Sequence, residues 1–428
     1  MPDSYDEFHS AVSRAGDVDR DGTPDLLVAR RDWGEEQGSR NQAKRAVWVL
    51  SGKDGSLIRM VLSERPGFGR CILGGHDLNG DEYADFIVAS HGEGLLDRPR
   101  LPIVEVFSGA DAYPLFELRG PDPRAAFGRS LALGDVNGDG VSDIVVGAPS
   151  LSEDIAGYVH VFSGVDGALL HTVRRDVGQH ALPRDWFGFG WGVGALPDLD
   201  GDGRAEFLAS DPEWPGGENG LGRLDVFSGS DASLIRSLVF DGETGGDGLN
   251  FGWVLVSLGD VDADGLPDLG ITAPDAWVRV YSGRSFELLF ERTFFGGYMY
   301  SDGSSMDGLG DLDQDAHADF VYAANETALD TDPGYAVVVS GKTGTGLHCF
   351  TEGDKNPCGD GRDACGLGDV NGDGVGDLAV AQRDGRVVRC YSGAGFRELW
   401  SRTFDELEGV VDGPSQPEPP AVDSGSDN

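Results

Sequence analysis

Seven times along the chain a short apolar run, rich in β-branched residues, follows directly on an acidic loop. The runs are DLLVA (25–29), DFIVA (85–89), DIVVGA (143–148), EFLAS (206–210), DLGITA (268–273), DFVYAA (319–324) and DLAVA (377–381). They are too short for helices, and their apolarity is continuous instead of alternating, which predicts strands covered on both faces. Beyond each comes a second run that closes on Ser-Gly, with its serine 22 to 34 residues after the first aspartate of the loop. These are VLSG (49–52), VFSG (106–109, 161–164, 226–229), VYSG (280–283), VVSG (338–341) and CYSG (390–393). A further strand often follows that turn, as in GALLHTV and RELWSRTF. About nine residues before each loop stands Phe-Gly or a relic of it: FH at 8–9, FG at 68–69, 127–128, 189–190 and 251–252, and DG at 302–303 and 360–361.

The loops begin at Asp17, Asp77, Asp135, Asp198, Asp260, Asp311 and Asp369, spaced by 60, 58, 63, 62, 51 and 58 residues. A fixed period is the mark of a repeat architecture. Each unit reads as strand, acidic loop, strand, variable loop, strand, turn, strand. One such four-stranded antiparallel sheet cannot bury both faces alone, whereas seven stacked radially can. The predicted fold is therefore all-β, a seven-bladed β-propeller over residues 1–406. A β-solenoid would need shorter, more uniform rungs, and a row of separate domains would need polar linkers. Residues 407–428 carry proline, glycine and acids without periodicity, which predicts a disordered tail or linker.

The loop itself has the form D-x-D-x-D-G-x-x-D. Calcium takes six to eight oxygen ligands. In a loop of this form side chains at positions 1, 3 and 5 point inward, a glycine at 6 permits the sharp turn, and position 7 offers its carbonyl. Position 9 supplies a carboxylate able to bind through both oxygens. The closing acid at 9 instead of 12 sets the loop apart from an EF-hand. The candidate ligands are Asp17, Asp19, Asp21, Asp25; Asp77, Asn79, Asp81, Asp85; Asp135, Asn137, Asp139, Asp143; and Asp198, Asp200, Asp202, Glu206. The remaining three loops offer Asp260, Asp262, Asp264, Asp268; Asp311, Asp313, Asp315, Asp319; and Asp369, Asn371, Asp373, Asp377. Up to seven structural Ca2+ ions are expected. Magnesium keeps its waters and seldom uses such all-protein cages. Glu82 and Ala316 stand where glycine is expected, so the second and sixth loops are predicted to be the weakest sites. The alternative for any single loop is an ordinary Asp/Asn/Gly turn.

Charge narrows the function. The 428 residues carry a net charge of -41, which excludes nucleic acid as a partner because phosphate binding needs a basic surface. It also opposes unaided binding to anionic membranes, and no apolar run is long enough to insert into one. Seven calcium ions would bring -41 to -27, so the surface stays acidic even with every loop filled.

Cysteines and catalytic motifs add less. Cys349, Cys358, Cys365 and Cys390 fall in the last blade and its approach, with Cys71 apart from them. They read either as one or two disulfides locking the closing blade or as free thiols. The eight histidines are scattered, and no nucleophile elbow, Walker loop or dinucleotide fingerprint is present. A non-enzyme is expected. The aromatic stretch WFGFGW (186–191) reads as a sugar-stacking platform or as the inner strand of blade four, and its in-register FG favours the strand.

Phe-Gly, then DxDxDGxxD, then a strand ending in Gly-Ala-Pro resembles the FG-GAP repeat of integrin α-subunit propellers. VGAP at 146–149 keeps the full ending, ITAP and ASDP keep part, and the resemblance covers roughly residues 8–403. It implies calcium in the loop between the first two strands of each blade, and ligands on the opposite face. The loops there vary most in length: 30–46, 90–102, 171–186 and 211–223. Trp33, Trp186 and Trp214 are the candidate ligand contacts; each reads equally as an anchor for its own loop. The implied function is a calcium-stabilised binding or adhesion module for a protein or glycan ligand. A propeller-based polysaccharide lyase or hydrolase and a purely structural surface protein are the alternatives. Loops of this kind suit the millimolar calcium outside cells, which places the protein in the extracellular space or at the cell surface. The opening MPDSYDEFHS has neither the basic start nor the apolar stretch of a leader.

Overall fold

Each repeat forms one antiparallel sheet whose four strands follow in chain order. The computed structural model describes residues 12–29, 45–90, 101–150, 155, 157–175, 188–212, 214, 221–240, 251–273, 277–293, 304–324, 335–350, 363–381 and 387–408. Blade one is β1 (Val12–Gly16), β2 (Asp25–Ala29), β3 (Arg45–Leu50) and β4 (Leu57–Ser63); blade two is β5 (Phe68–His76), β6 (Asp85–Ser90), β7 (Ile103–Phe107) and β8 (Pro114–Arg119). Blade three is β9 (Leu131–Gly134), β10 (Asp143–Ala148), β11 (Tyr158–Phe162) and β12 (Leu169–Arg174); blade four is β13 (Val193–Leu196), β14 (Glu206–Asp211), β15 (Arg223–Phe227) and β16 (Leu234–Val239). Blade five is β17 (Leu255–Gly259), β18 (Asp268–Ala273), β19 (Trp277–Tyr281) and β20 (Leu288–Thr293); blade six is β21 (Ser304–Gly310), β22 (Asp319–Ala324), β23 (Tyr335–Val339) and β24 (Gly346–Phe350). Blade seven is β25 (Asp363–Gly368), β26 (Asp377–Ala381), β27 (Val387–Tyr391) and β28 (Glu398–Thr403), followed by a short helix, α1 (Phe404–Glu408).

The first strand of each blade lies beside the first strand of the next, and β25 returns to β1, so the inner strands close a ring. The fold is the predicted seven-bladed propeller. The second strands are buried along their length because both of their faces are covered. Leu26 and Val28 pack toward blade seven, while Leu27 and Ala29 pack toward blade two. The same division recurs at each junction, so the core is seven inter-blade layers and not one central mass. The Phe-Gly pairs serve those layers. Phe68, Phe127, Phe189 and Phe251 are buried, and each following glycine has a positive φ. The FH and DG relics lie outside the described residues. Within WFGFGW, Phe189 and Trp191 are buried and lead directly into β13.

Among the described residues no strand is exchanged between blades one and seven, and side chains join the two. Trp400 donates Nε1 to the carbonyl of Gly52 at 2.7 Å. Arg402 donates Nε to Gly55 O and Nη2 to Asp54 O, both at 2.8 Å. Phe404 from α1 meets Trp48 with ring centres 5.5 Å apart, and Leu407 joins the same layer. The expected boundary between residues 406 and 407 thus falls inside α1, and residues 409–428 lie outside the described part.

This seal is one case of a repeated latch, in which the third or fifth residue of an outer strand reaches the last hairpin of the next blade. Arg59 donates to Ala110 O (2.6 Å), His171 Nε2 meets Gly229 O (2.8 Å), and Arg292 donates to Gly344 O (2.9 Å). Arg236 lies over the Phe286 ring and His348 stacks on Phe396. Cys349 is disulfide-bonded, whereas Cys71, Cys365 and Cys390 form no disulfide; Cys358 lies outside the described residues. Among the described residues no helix is long and apolar enough to cross a membrane.

Replacing Trp400 by alanine removes a buried indole and leaves Gly52 O without its donor, a loss of roughly 3–5 kcal/mol. Thermal melts should show a fall of several degrees for this variant. Leu234→Ala on the exposed face of β16, where the side chain is 50% accessible, should stay within about 0.5 kcal/mol of the parent. Equal melting temperatures for the two variants would remove Trp400 from the closure.

Candidate metal centre

The seven acidic loops share one backbone path. Position 1 gathers amides: Asp135 accepts N–H bonds from Gly138 (2.8 Å), Asp139 (3.0 Å) and Gly140 (2.9 Å). Asp17 does the same for Asp21 and Gly22. The carboxylate at position 5 accepts the amide of position 7, as Asp21 does from Thr23 (2.8 Å) and Asp264 from Leu266 (2.9 Å). Position 6 is left-handed in all seven loops. Glu82 and Ala316, at φ 70° and 71°, hold the same conformation as the five glycines, as the sequence predicted. Position 4 is left-handed too, and this was not foreseen. Arg20, Ala263 and Gln314 have φ of 61–63° there. Glycine at Gly80, Gly138, Gly201 and Gly372 was the signal available.

Position 9 is the most constrained residue of the loop. All seven are buried to 1% exposure or less. One oxygen accepts the amide of position 2: Val18 to Asp25 (2.9 Å), Leu78 to Asp85 (2.8 Å), Leu199 to Glu206 (2.8 Å), Val261 to Asp268 (2.7 Å), Leu312 to Asp319 (2.9 Å) and Val370 to Asp377 (2.8 Å). In blade three the donor is Asn137 (2.8 Å). The other oxygen accepts the amide of the Ser-Gly glycine: Gly52 (3.1 Å), Gly109 (3.0 Å), Gly164 (3.2 Å), Gly283 (2.8 Å), Gly341 (2.9 Å) and Gly393 (3.0 Å). A Cβ on any of these glycines would collide with the carbonyl oxygen of position 8. The Ser-Gly signature is therefore a close backbone approach that lets one carboxylate tie the loop, the second strand and the outer hairpin together.

Blade four breaks this symmetry. The longer Glu206 keeps its bond to Leu199, but its Oε1 is buried without a hydrogen-bond partner. The Glu206 carboxylate converges with those of Asp198 and Asp200, one oxygen of each lying within 4.8 Å of the others. Asp17, Asp19 and Asp25 form a second such group, Asp260, Asp262 and Asp268 a third, and Asp311, Asp313 and Asp315 a fourth. In the other three loops an asparagine amide stands among the carboxylates. Asn79 donates to Asp81 (2.9 Å), Asn137 to Asp139 (2.8 Å) and Asp143 (3.2 Å), and Asn371 to Asp377 (3.1 Å). Three converging carboxylates, one of them with a buried unsatisfied oxygen, fit a hard cation with oxygen ligands.

The electrostatics agree. Burial, reinforced by the neighbouring loop aspartates, pushes the carboxyl of Asp25 up to about 7 and those of Asp85 and Asp143 up to about 6. Glu206 rises to about 7 for the same reason. Asp268, Asp319 and Asp377 are also raised, with burial first among the causes. A divalent cation at this place favours the ionised form of every one of them.

Adjacent loops touch. Ala84 donates its amide to Asp17 O (3.1 Å), Ala205 to Asp135 O (2.8 Å) and Ala318 to Asp260 O (2.7 Å). Arg20 and Glu82, at two left-handed positions of neighbouring loops, form an ion pair. Of the tryptophans, Trp33 and Trp186 lie outside the described residues. Trp214 is half-buried, with the guanidinium groups of Arg175 and Arg223 lying 4.9 and 4.7 Å from its ring centre. Both arginines pair with buried Asp225, which ties the indole to the sheet as an anchor of its loop.

Fold and loops together define a seven-bladed propeller with an acidic loop in every blade, an architecture similar to that of FG-GAP repeat proteins. Within that class the chain resembles the N-terminal propeller of integrin α-subunits. Residues 127–162 match the FG-GAP repeat model, which covers the entry to blade three, its acidic loop and its second and third strands. The chain is 35% identical over 184 residues to human integrin alpha-IIb, covering 39% of this chain and 17% of the integrin. It is 28% identical over 213 residues to chicken integrin alpha-V, covering 46% and 19%. A mouse phosphatidylinositol-glycan-specific phospholipase D is 29% identical over 226 residues, covering 49% and 26%. The matches thus span less than a fifth of the two integrins and about a quarter of the phospholipase. Among solved structures, BBS1N in complex with ARL6DN aligns with a TM-score of 0.51 at 11% identity, covering 88% of this chain and 90% of that one, a likeness of fold alone.

The two strained positions make opposite demands on a test. Ala316→Gly removes a left-handed alanine and should stabilise by about 1 kcal/mol. Glu82→Gly should gain less, because it also loses the exposed pair with Arg20, worth roughly 0–1 kcal/mol. Thermal melts of both variants check the order, and a loss of stability in Ala316→Gly would contradict the assignment.

Proposed function

We propose that the chain is a calcium-stabilised binding module of the adhesion type, working outside cells or at their surface. The acidic loops hold structural Ca2+, and the ligand, a protein or glycan, meets the loops on the opposite face. The observation that carries the metal reading is the loop of blade four. There the Glu206 carboxylate converges with those of Asp198 and Asp200, and its Oε1 is buried without a hydrogen-bond partner. Carboxylates at positions 1, 3, 5 and 9 would supply the charge, with Asn79, Asn137 and Asn371 offering amide oxygens in the second, third and seventh loops. Metal supplies what the loop lacks on its own, a positive centre that offsets three or four close carboxylates.

The integrin relatives support a recognition role, and the layout agrees with it. A rigid ring presents loops of unequal length on one face while the other is committed to structure. The likeness to the phospholipase spans 26% of that enzyme and supports a shared propeller module, not shared chemistry. All four variable loops expected to meet ligand lie mostly outside the described residues. Trp214, in the fourth, lies against the guanidinium groups of Arg175 and Arg223.

Protein dialysed in millimolar calcium should retain five to seven ions per chain by elemental mass spectrometry. Its melting temperature should fall clearly on chelation and recover when calcium is returned. Zero or one ion with an unchanged melt would reduce the loops to acidic turns and remove the main support for an extracellular site of action.

A further inference from the structure

We infer that Arg284 is a built-in counter-cation of the fifth loop, competing with metal there and holding that loop in shape when metal is scarce. This rests on the calcium reading above and assigns one loop a regulated occupancy. Arg284 is the residue after the Ser-Gly of β19 and returns to its own blade's acidic loop. Its Nε donates to Asp264 Oδ2 at 2.8 Å, and its Nη2 donates to the Asp264 carbonyl at 3.0 Å. The second carboxylate oxygen of Asp264 already accepts the Leu266 amide at 2.9 Å. Asp264 is position 5, a proposed metal ligand, so a full positive charge sits on an oxygen that a cation would take.

The other blades show that this is particular to blade five. The corresponding residues are Ala110, Val165, Ser230 and Ala394 in blades two, three, four and seven. There the position-5 oxygen meets neutral groups where it meets any: Ser392 Oγ lies 3.2 Å from Asp373 Oδ2, and Ser108 Oγ 3.5 Å from Asp81 Oδ2. Blade six has Lys342, whose ammonium approaches Asp315 O at 3.3 Å and Asp315 Oδ2 at 3.7 Å. That contact is longer and lacks the two-point fork that fixes a guanidinium. Lys53 in blade one makes no ion pair with its loop among the described residues. A fixed guanidinium at a ligand oxygen repels a dication and supplies part of the charge balance that the dication would give. Blade five therefore keeps its hairpin and loop joined without metal and yields Arg284 only at higher calcium.

Bound calcium is counted by elemental mass spectrometry across a calcium titration, for the full chain, Arg284→Ala and Ala394→Arg, with melts in calcium and in chelator. Arg284→Ala should hold one more ion than the parent at low calcium. The affinity of that site should rise on the order of tenfold. The variant should melt with the parent in saturating calcium but below it in chelator. Ala394→Arg, which places the same side chain at the seventh loop, should hold one ion fewer. Equal, non-zero counts in parent and Arg284→Ala would overturn the competition and leave the calcium reading intact. A lower count in Arg284→Ala would also overturn it, making Arg284 a support for metal binding. No calcium in any of the three would overturn both.

Discussion

One buried carboxylate per blade holds the structure together. It closes each acidic loop, begins the most deeply buried strand and, in every blade but the fourth, accepts amides from both the loop and the outer hairpin. In blade one, Asp25 joins Val18 to Gly52 across 34 residues of chain. An ionisable group taken out of water this completely is costly unless its oxygens are satisfied and its charge is met. Backbone amides do the first. On the calcium reading proposed above a bound cation does the second, because further aspartates of the same loop only add negative charge.

From that constraint the rest of the ring follows. The carboxylate fixes where the outer hairpin turns, and the hairpin is what the preceding blade grips through Arg59, His171, Arg292 or Trp400. Loop, strand, hairpin and neighbouring blade form one chain of contacts repeated around the ring. Loops 1 and 2, 3 and 4, and 5 and 6 are further joined by backbone bonds. Loss of charge balance in one loop is therefore felt by the blade beside it.

The sequence made the repeated parts legible and left the contacts between repeats unread. Seven loops in register disclosed the blade count, the covered second strands and the glycine at position 6, because each is written within a single repeat. The role of the Ser-Gly glycine was hidden, since the carbonyl it must approach lies 16 to 28 residues away and only the fold brings the two together. The same holds for Arg284, a basic residue in an unremarkable turn until that turn is placed against Asp264. Trp400 and Arg402 looked like part of an outer strand, and their partners sit at the other end of the chain. Position 4 was legible in principle. Its glycines were present in four loops, but Arg20, Ala263 and Gln314 masked the pattern.

The central claim is that metal-neutralised carboxylates pin the loops to the hairpins. Amide hydrogen exchange across 49–56, 106–113, 161–168, 280–287, 338–345 and 390–397, with calcium and after chelation, tests it most directly. The amides of Gly52, Gly109, Gly164, Gly283, Gly341 and Gly393 should exchange slowly in calcium and accelerate together with their loops on its removal. Gly283, next to Arg284, should change least. Exchange that is fast in calcium, or indifferent to chelation in every blade, would contradict the account.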